Sequence, residues 1–174
     1  MAPDDMNEEQ RSLITEQQAQ LSLFQLMARH PDALRRLKAV GSFANRDTVL
    51  PAKDRELMIL RMAWRYNSEF EWGQHYQQAI DAGWSEADCQ RVKVDSITDG
   101  WDEWSQALLA ATDGLMSNAM VPTTAWDVLR RQWSEETMLE LVIFFGHYTM
   151  VSMFANTFGL GLPPGRPGFN GQVE

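Results

Sequence analysis

The chain has 174 residues, of which 44% are hydrophobic, and it carries a formal net charge of -9. This length fits one domain with a substantial core, and the negative charge argues against binding nucleic acid or an anionic membrane by general electrostatic attraction. The single cysteine, Cys89, excludes an intrachain disulfide and a cysteine-rich metal site. Since the acidic N-terminus also lacks the features of a secretory signal, we expect a cytoplasmic protein.

Residues 1–30 are predicted to form a short tail followed by one amphipathic helix. Leucine, phenylalanine and methionine recur there at roughly helical spacing among Glu, Gln and Ser. We expect His30 to cap the C-terminal end of this helix, where backbone carbonyl groups lack partners. Pro31 then begins another helix, because the amide hydrogen that proline lacks would be unpaired in the first turn.

Residues 50–83 concentrate ionisable side chains at helical spacing within apolar sequence. They predict two helices separated by a break at 66–68, and Gly83 favours the end of the second helix because glycine readily adopts a left-handed conformation. On this second helix Glu71 and His75 are four residues apart. Their side chains therefore share one face of the helix and can reach one substrate or each other.

Glu71 and His75 form the candidate acid/base pair. A nearby carboxylate favours the protonated imidazole whereas burial opposes it, and this competition can hold the pKa of a histidine near neutrality. Glu56, in the first of the two helices, supplies a second carboxylate for a proton relay, and Trp72 is the candidate aromatic wall of a pocket. The alternative interpretation is a solvated Glu–His pair that contributes only a few tenths of a kcal/mol.

Four more helices are predicted beyond Gly83. Ser85 and Ser134 each favour a capped helix start, a longer helix is indicated within residues 101–120, and another follows Pro122. The last helix contains the most apolar segment of the chain. Because a glutamate, a histidine and an asparagine interrupt that segment, we interpret it as a buried helix and not as a membrane span.

No segment shows the alternation of a β-strand, so the sequence predicts an all-α protein of about seven helices. We divide it into an N-terminal tail and amphipathic helix at 1–30, a helical domain at 31–160 and an irregular C-terminal tail at 161–174. The tail is rich in glycine and proline and is expected to lie over the surface.

The run Arg55-Glu56-Leu57, followed by Glu71-Trp72-Gly73-Gln74-His75, resembles the carboxymuconolactone decarboxylase family, which shares its fold with alkyl hydroperoxidase D. The resemblance covers about residues 35–160. In the peroxidase branch a glutamate precedes C-x-x-C-x-x-x-H, and aligning on His75 puts Ser68 and Glu71 at the two cysteine positions. The dithiol that reduces peroxide is therefore missing. The Glu–His spacing of the decarboxylase branch is retained.

The resemblance implies an oligomeric helical bundle, a dimer, trimer or hexamer, that performs cofactor-free acid/base chemistry on a small organic acid or lactone. Glu71, His75 and Glu56 would be catalytic. It also implies that His147 and Tyr148, in the last helix, close the substrate pocket from the opposite side. Trp72, next to Glu71, is the third candidate for substrate contact. We expect neither a bound cofactor nor a metal.

Three alternatives stay open at the level of sequence. Glu56, Glu71 and His75 are geometrically able to provide a three-ligand metal site. The protein could also be a catalytically silent, oligomeric ligand-binding protein that keeps the fold. A thiol-independent relative of the hydroperoxidase is the third alternative, and the missing cysteine pair weighs against it.

Overall fold

Helices account for the regular structure of residues 3–173, the part of the chain that the computed structural model describes, and this range contains no β-strand. The prediction of an all-α fold is therefore confirmed. In chain order the helices are α1 Glu8–Ser12, α2 Glu16–Ala19, α3 Ser22–Met27, α4 Pro31–Ser42, α5 Ala52–Arg65, α6 Glu69–Asp81, α7 Glu86–Arg91, α8 Glu103–Asn118, α9 Thr123–Leu129 and α10 Glu135–Phe158. A π-helical turn, Phe43–Asp47, extends α4.

The N-terminal segment forms three short helices, so the prediction of one continuous helix is wrong. Asn7 with Gln10 and Thr15 with Gln18 form two capping boxes, in which each glutamine also accepts a hydrogen bond from the backbone of the capping residue. Each box starts a new helix and so interrupts the previous one. The role predicted for His30 is also wrong, because its Nδ1 accepts a backbone hydrogen bond from the first turn of α4 and thus caps an N-terminus.

Helix α5 forms the centre of the core. Every side chain from Leu57 to Ala63 is buried, as expected of a helix surrounded on all sides by others. It packs against α6 and α8, and α6 runs back beside it after a turn in which Asn67 takes a positive φ of 52°. Gly83 follows the end of α6 with φ 100°, as the sequence predicted.

A fully buried arginine joins α5 to α8. The guanidinium of Arg61 donates two hydrogen bonds to Asp113, of 2.9 Å from Nε and 2.6 Å from Nη2. Its Nη1 donates to the backbone oxygens of Val92 and Val94. Because its hydrogen-bonding groups are matched in this way, we interpret Arg61 as a structural residue.

Helix α10 is long and apolar enough to span a membrane by length and composition alone. One face, including Leu141, Phe144 and Tyr148, is buried in the bundle. The opposite face exposes large apolar side chains, among them Leu139 and Val142. Burial of one face against other helices is what the core helix of a bundle shows.

The C-terminal tail lacks regular secondary structure, yet it packs closely on the helices of its own chain. Leu162 lies over Gly73 of α6, where an added Cβ would be only 2.6 Å from the Leu162 Cδ1. Phe169 meets the rings of Trp64 and Trp72 edge-on, at centroid distances of 5.2 and 5.3 Å. The tail therefore supports α6 from the side opposite to the buried carboxylates described next.

Candidate active site

The imidazole of His75 lies between two carboxylates. Its Nδ1 is 2.8 Å from Glu56 Oε2, at hydrogen-bonding distance, and its Nε2 is 3.7 Å from Glu71 Oε2. Helix α5 supplies Glu56 and α6 supplies the other two residues, so the packing of these two helices assembles the group. All three side chains are buried.

Burial and charge act in opposite directions on these groups. Burial raises the pKa of Glu71 to about 7, an effect that the charge of His75 reduces and that of Glu56 reinforces. Burial also opposes charging of His75, but the hydrogen bond and the charge of Glu56, together with Glu71, outweigh it and raise its pKa. His75 therefore lies between the carboxyl group of Glu56 on one side and, on the other, Glu71, whose pKa of about 7 lets it exchange a proton near neutral pH.

Glu71 has an unused hydrogen-bonding atom. Its Oε2 is buried and has no hydrogen-bond partner within the described part of the chain. A buried polar atom without a partner is costly. The imidazole of His75 lies close to this oxygen, at 3.7 Å from Nε2, so Glu71 and His75 can exchange a proton after a small movement.

Tyr148 orients the imidazole from α10. Its ring meets that of His75 edge-on at 5.1 Å, and its hydroxyl donates a hydrogen bond of 2.5 Å to Asn45 Oδ1 in the π-helical turn. Burial and then the charges of Glu71 and Glu56 raise the pKa of Tyr148 well above its ordinary value, so the phenol stays neutral. A π-helical turn beside a site of this kind is a recurrent arrangement in proteins.

His147 lies beside Gly41 of α4, where an added Cβ would be 3.1 Å from the imidazole Cε1. Burial, followed by the charge of His75, lowers its pKa. This second histidine is thus neutral near pH 7. Its Nδ1 is buried without a partner among the described residues.

These groups open into a cavity of about 390 Å³. This volume falls within the range of pockets that hold small-molecule ligands, about 300–1,000 Å³. Glu71, His75, His147 and Tyr148 line one part of it, whereas Glu56 lies behind the imidazole and does not line it. Helices α3, α4 and α10 supply most of the remaining wall.

Trp72 does not occupy the position that the sequence predicted for it. Its side chain is fully buried between Tyr76 and Phe169 and does not line the cavity. Consecutive residues of a helix point about 100° apart, so a side chain next to Glu71 faces another direction. Trp72 therefore belongs to the core behind the site.

The sequence analysis missed three contributions to the site: Asn45, Gly41 and the N-terminal helices. The first two lie where α4 passes into its π-helical turn, and no local pattern predicts that turn. The N-terminal helices had a detectable signal, because the two capping boxes indicate separate helices that can fold back over the domain.

The carboxylates approach His75 from two different directions. Glu56 meets Nδ1 and Glu71 meets Nε2, on opposite sides of the ring, so the three side chains do not converge on one point. Among residues 3–173, no group of three or more His, Cys, Asp or Glu side chains is arranged to hold a metal ion. The geometry suits proton transfer better than coordination.

The sequence model of the Carboxymuconolactone decarboxylase family matches residues 31–113. The resemblance to that family is thus confirmed for this region. The match includes α4 to α6 and most of α8, and hence Glu56, Glu71 and His75. The carboxymuconolactone decarboxylase region ends before α10, so His147 and Tyr148, like the N-terminal helices, lie outside it.

A solved structure from Agrobacterium tumefaciens has the same fold. It is described as a protein of unknown function provisionally assigned as the antioxidant defence protein AhpD. The two chains are 21% identical with a TM-score of 0.70, and the alignment covers 79% of this chain and 95% of the other. The predicted alkyl hydroperoxidase D-like fold is thus confirmed. No curated protein sequence matches the chain.

The two positions that hold cysteines in the peroxidase branch hold Ser68 and Glu71 in this chain. Ser68 is buried and its hydroxyl has no partner in the described structure, and Glu71 stands at the second position. The only thiol of the sequence, Cys89, is buried elsewhere, and burial raises its pKa to about 11. A thiol with so high a pKa is a poor nucleophile at neutral pH.

Proposed function

We propose that this protein is an enzyme that moves protons on a small organic acid or lactone without a cofactor, through a decarboxylation or a related lyase, isomerase or hydrolase step. The observation that carries the proposal is the buried group of Glu56, His75 and Glu71. Two carboxyl groups on one imidazole, one of them with a pKa of about 7 and an unpartnered oxygen, form a system poised to give and take a proton.

The three side chains have different roles in this proposal. Glu71 exchanges a proton with the substrate, because its side chain lines the cavity and its pKa is about 7. His75 exchanges a proton with Glu71 across the 3.7 Å between Nε2 and Oε2. Glu56 stabilises the imidazolium and fixes the orientation of the ring through Nδ1, as an acid partner does for a general base.

A decarboxylation balances with these groups alone when the substrate is a conjugated lactone acid. The bond to the carboxylate breaks, carbon dioxide leaves, and the electron pair passes into the conjugated carbonyl. Glu71 then gives one proton to carbon and is reprotonated from solvent through His75. No external oxidant or reductant is needed, and the apolar part of the cavity helps to exclude water.

The alternatives make different predictions. Peroxide reduction by a dithiol needs two cysteines, and this sequence has one. A silent ligand-binding protein would bind small acids with the same site and release them unchanged. The Agrobacterium protein is described as a provisional antioxidant protein. This chain lacks the pair of thiols that reduction of peroxide by a dithiol requires.

The test is turnover of carboxymuconolactone and related lactones and 3-oxo acids in deuterated water. We expect release of carbon dioxide, or deuterium on the carbon next to a carbonyl, detected by NMR. The variant His75→Gln should lose this activity and keep its helical circular dichroism, whereas His30→Gln, which changes an exposed histidine that does not line the cavity, should retain it. Binding of these acids without any exchange or turnover would favour the silent protein.

We further propose that the protein is cytoplasmic and assembles as a homo-oligomer through the exposed face of α10. Leu139, Val142 and Met153 are all more than half exposed on that face, and an added Cβ at Gly146 would meet nothing within 4 Å. Exposed apolar side chains in one stripe are typical of association surfaces, and a second copy brings the same stripe. Light scattering should show a larger mass for the wild type than for Leu139→Lys with Val142→Lys.

A further inference from the structure

We infer that the ligand of the cavity is an organic anion with a single charged group and an apolar body about the size of a medium-chain or phenyl-substituted acid. This inference rests on the proposed function only for the position of the reacting group, beside Glu71 and His75. The rest follows from the walls of the cavity, which are divided into an apolar part and a charged part.

The apolar part comes from side chains of three elements that line the cavity. Helix α3 and the residue before it contribute Leu21 and Phe24, α4 contributes Leu37, and α10 contributes Val151 and Phe154. Several of these side chains also pack with the small second core around Met27 and Leu34, so the wall is held in place by its own contacts. An apolar ligand body gains roughly 0.8 kcal/mol for each methylene that such a wall removes from water.

The charged part contains two basic residues of the α4 segment, Lys38 and Arg46. Lys38 donates hydrogen bonds to the Leu13 backbone oxygen and to the Gln18 side chain, both uncharged. Arg46 donates to Ser42 Oγ at 2.7 Å. Within residues 3–173 neither of them forms an ion pair with an acidic side chain, although both line the cavity. They can therefore attract one anionic group.

The remaining wall disfavours a second anionic group. At the inner end Glu71 already brings a carboxyl group, with Glu56 behind the imidazole, and a carboxylate placed against Leu37 or Phe154 would lose its hydration without gaining a partner. A compact acid with two or three carboxylates fits poorly. An acid with one carboxylate and an apolar body matches both parts.

The part of the wall built by the N-terminal helices lies outside the region shared with the family. Leu21, Leu23 and Phe24 precede residue 31, where the family match begins. Members that lack such a segment would have no equivalent of this surface. The acid/base chemistry and the choice of substrate are therefore carried by different parts of this chain.

Calorimetric binding of four simple probes to the wild-type protein tests the inference without requiring turnover. Butanoate and octanoate differ in apolar length, octanamide lacks the charge, and octanedioate adds a second charge at the same length. We expect affinity to rise about fourfold for each methylene added from butanoate to octanoate. Octanamide and octanedioate should each bind about tenfold more weakly than octanoate, the loss expected for one charge-assisted hydrogen bond.

Two variants, each with a matched control, locate the effects. Phe24→Ser should weaken octanoate more than butanoate, whereas Met120→Ser, which changes an exposed apolar residue after α8 that does not line the cavity, should not. Arg46→Gln should weaken octanoate and leave octanamide unchanged, whereas Arg36→Gln on the outer side of α4 should alter neither. Circular dichroism of each variant checks that the helices persist.

Equal affinity for butanoate and octanoate, tighter binding of octanedioate, or no binding of any probe would overturn the inference. Equal affinity for octanamide and octanoate would overturn its charged part. The proposed function can fail separately from this inference. If octanoate binds as expected to both the wild type and His75→Gln while no acid is ever turned over, the ligand inference is supported and the proposed enzymatic function is contradicted. If the protein instead turns over a small dicarboxylate and shows no preference for apolar acids, the proposed function is supported and the ligand inference is contradicted.

Discussion

Helix α5 carries two buried ionisable residues five positions apart, Glu56 and Arg61. The groups around them differ in how completely their hydrogen-bonding atoms are paired. Arg61 is surrounded by the Asp113 carboxylate and two backbone oxygens. Glu56 instead holds a histidine whose other neighbour, Glu71, has an oxygen without a partner. Burial is similar in the two groups, but only the second opens into a cavity.

The comparison shows that a buried charge is not by itself a sign of a functional site. A saturated ion pair resists change of its protonation state, because every charge already has a fixed partner. A carboxyl group that shares a site with another carboxyl and lacks one partner is held near the balance between its two protonation states. The Arg61 group should therefore control stability, and the His75 group should control turnover.

The largest expected effect is on turnover. Replacing His75 with Gln removes the group that exchanges protons while an amide can still donate to Glu56, so we expect a decrease in kcat of about 10²–10⁴-fold. The measurement is steady-state kinetics on the substrate found by the panel described above. An equal loss of activity and of helical signal would instead make His75 a structural residue.

The next effect is on stability. Replacing Arg61 with Leu leaves buried backbone oxygens and Asp113 without their donor, and we expect the free energy of unfolding in urea to fall by about 3–5 kcal/mol. Arg65→Leu, one turn further along α5, is the control and should change it by about 1 kcal/mol or less, because that side chain is partly exposed. Similar losses in the two variants would contradict the structural role assigned to Arg61.

A smaller effect is a dependence of the free energy of unfolding on pH. Because the pKa of Glu71 is raised from 4.5 to about 7 by folding, the contribution of this one group to stability is fully present below pH 4.5 and is lost, by up to about 3 kcal/mol, as the pH rises through 7. Glu71→Gln removes this loss, so the variant should be the more stable protein at pH 8.5 and nearly equal at pH 4.5.

Urea unfolding at both pH values tests that sign. Glu69→Gln, an exposed position two residues earlier in α6, is the matched control and should show no such pH dependence. If Glu71→Gln is less stable than the wild type at pH 8.5, the carboxylate is stabilised by its surroundings and cannot be the proton donor.

The smallest effect is a change in the pKa of the His75 imidazole. Glu56→Gln retains a hydrogen-bonding group beside Nδ1 but removes its charge, so the pKa of His75 should fall. NMR titration of the imidazole measures this directly. The decrease should exceed that in Glu71→Gln, since Glu71 lies farther away and makes no hydrogen bond to the ring; the opposite order would reverse the roles of the two carboxylates.

The local part of the site was predictable from sequence. A spacing of four residues places Glu71 and His75 on one helical face, and the two helices around them begin and end near the predicted residues. The resemblance added Glu56, His147 and Tyr148 as candidates. Spacing alone did not predict that Glu56 would be the closer partner of His75. The two residues are 19 positions apart, and the chain between them reverses direction with a packing that depends on the whole bundle.

The errors have identifiable physical causes. Trp72 was placed in the pocket because it is adjacent to Glu71 in sequence, although neighbouring residues of a helix diverge in direction. The N-terminal helix was drawn as continuous because its apolar period continues across two capping boxes. The cavity wall built by Phe24 and its neighbours depends on long-range packing and has no local signature.

The seating of Phe169 between Trp64 and Trp72 has a practical consequence for anyone who shortens this chain to its helices. Removing residues after Gly159 would take the Phe169 ring away from two indole rings, that of Trp64 on α5 and that of Trp72 on α6, the helix that carries His75. A truncated version would be prone to aggregation, and any loss of activity in it would report damage to the scaffold. Activity assays therefore need the chain through residue 173.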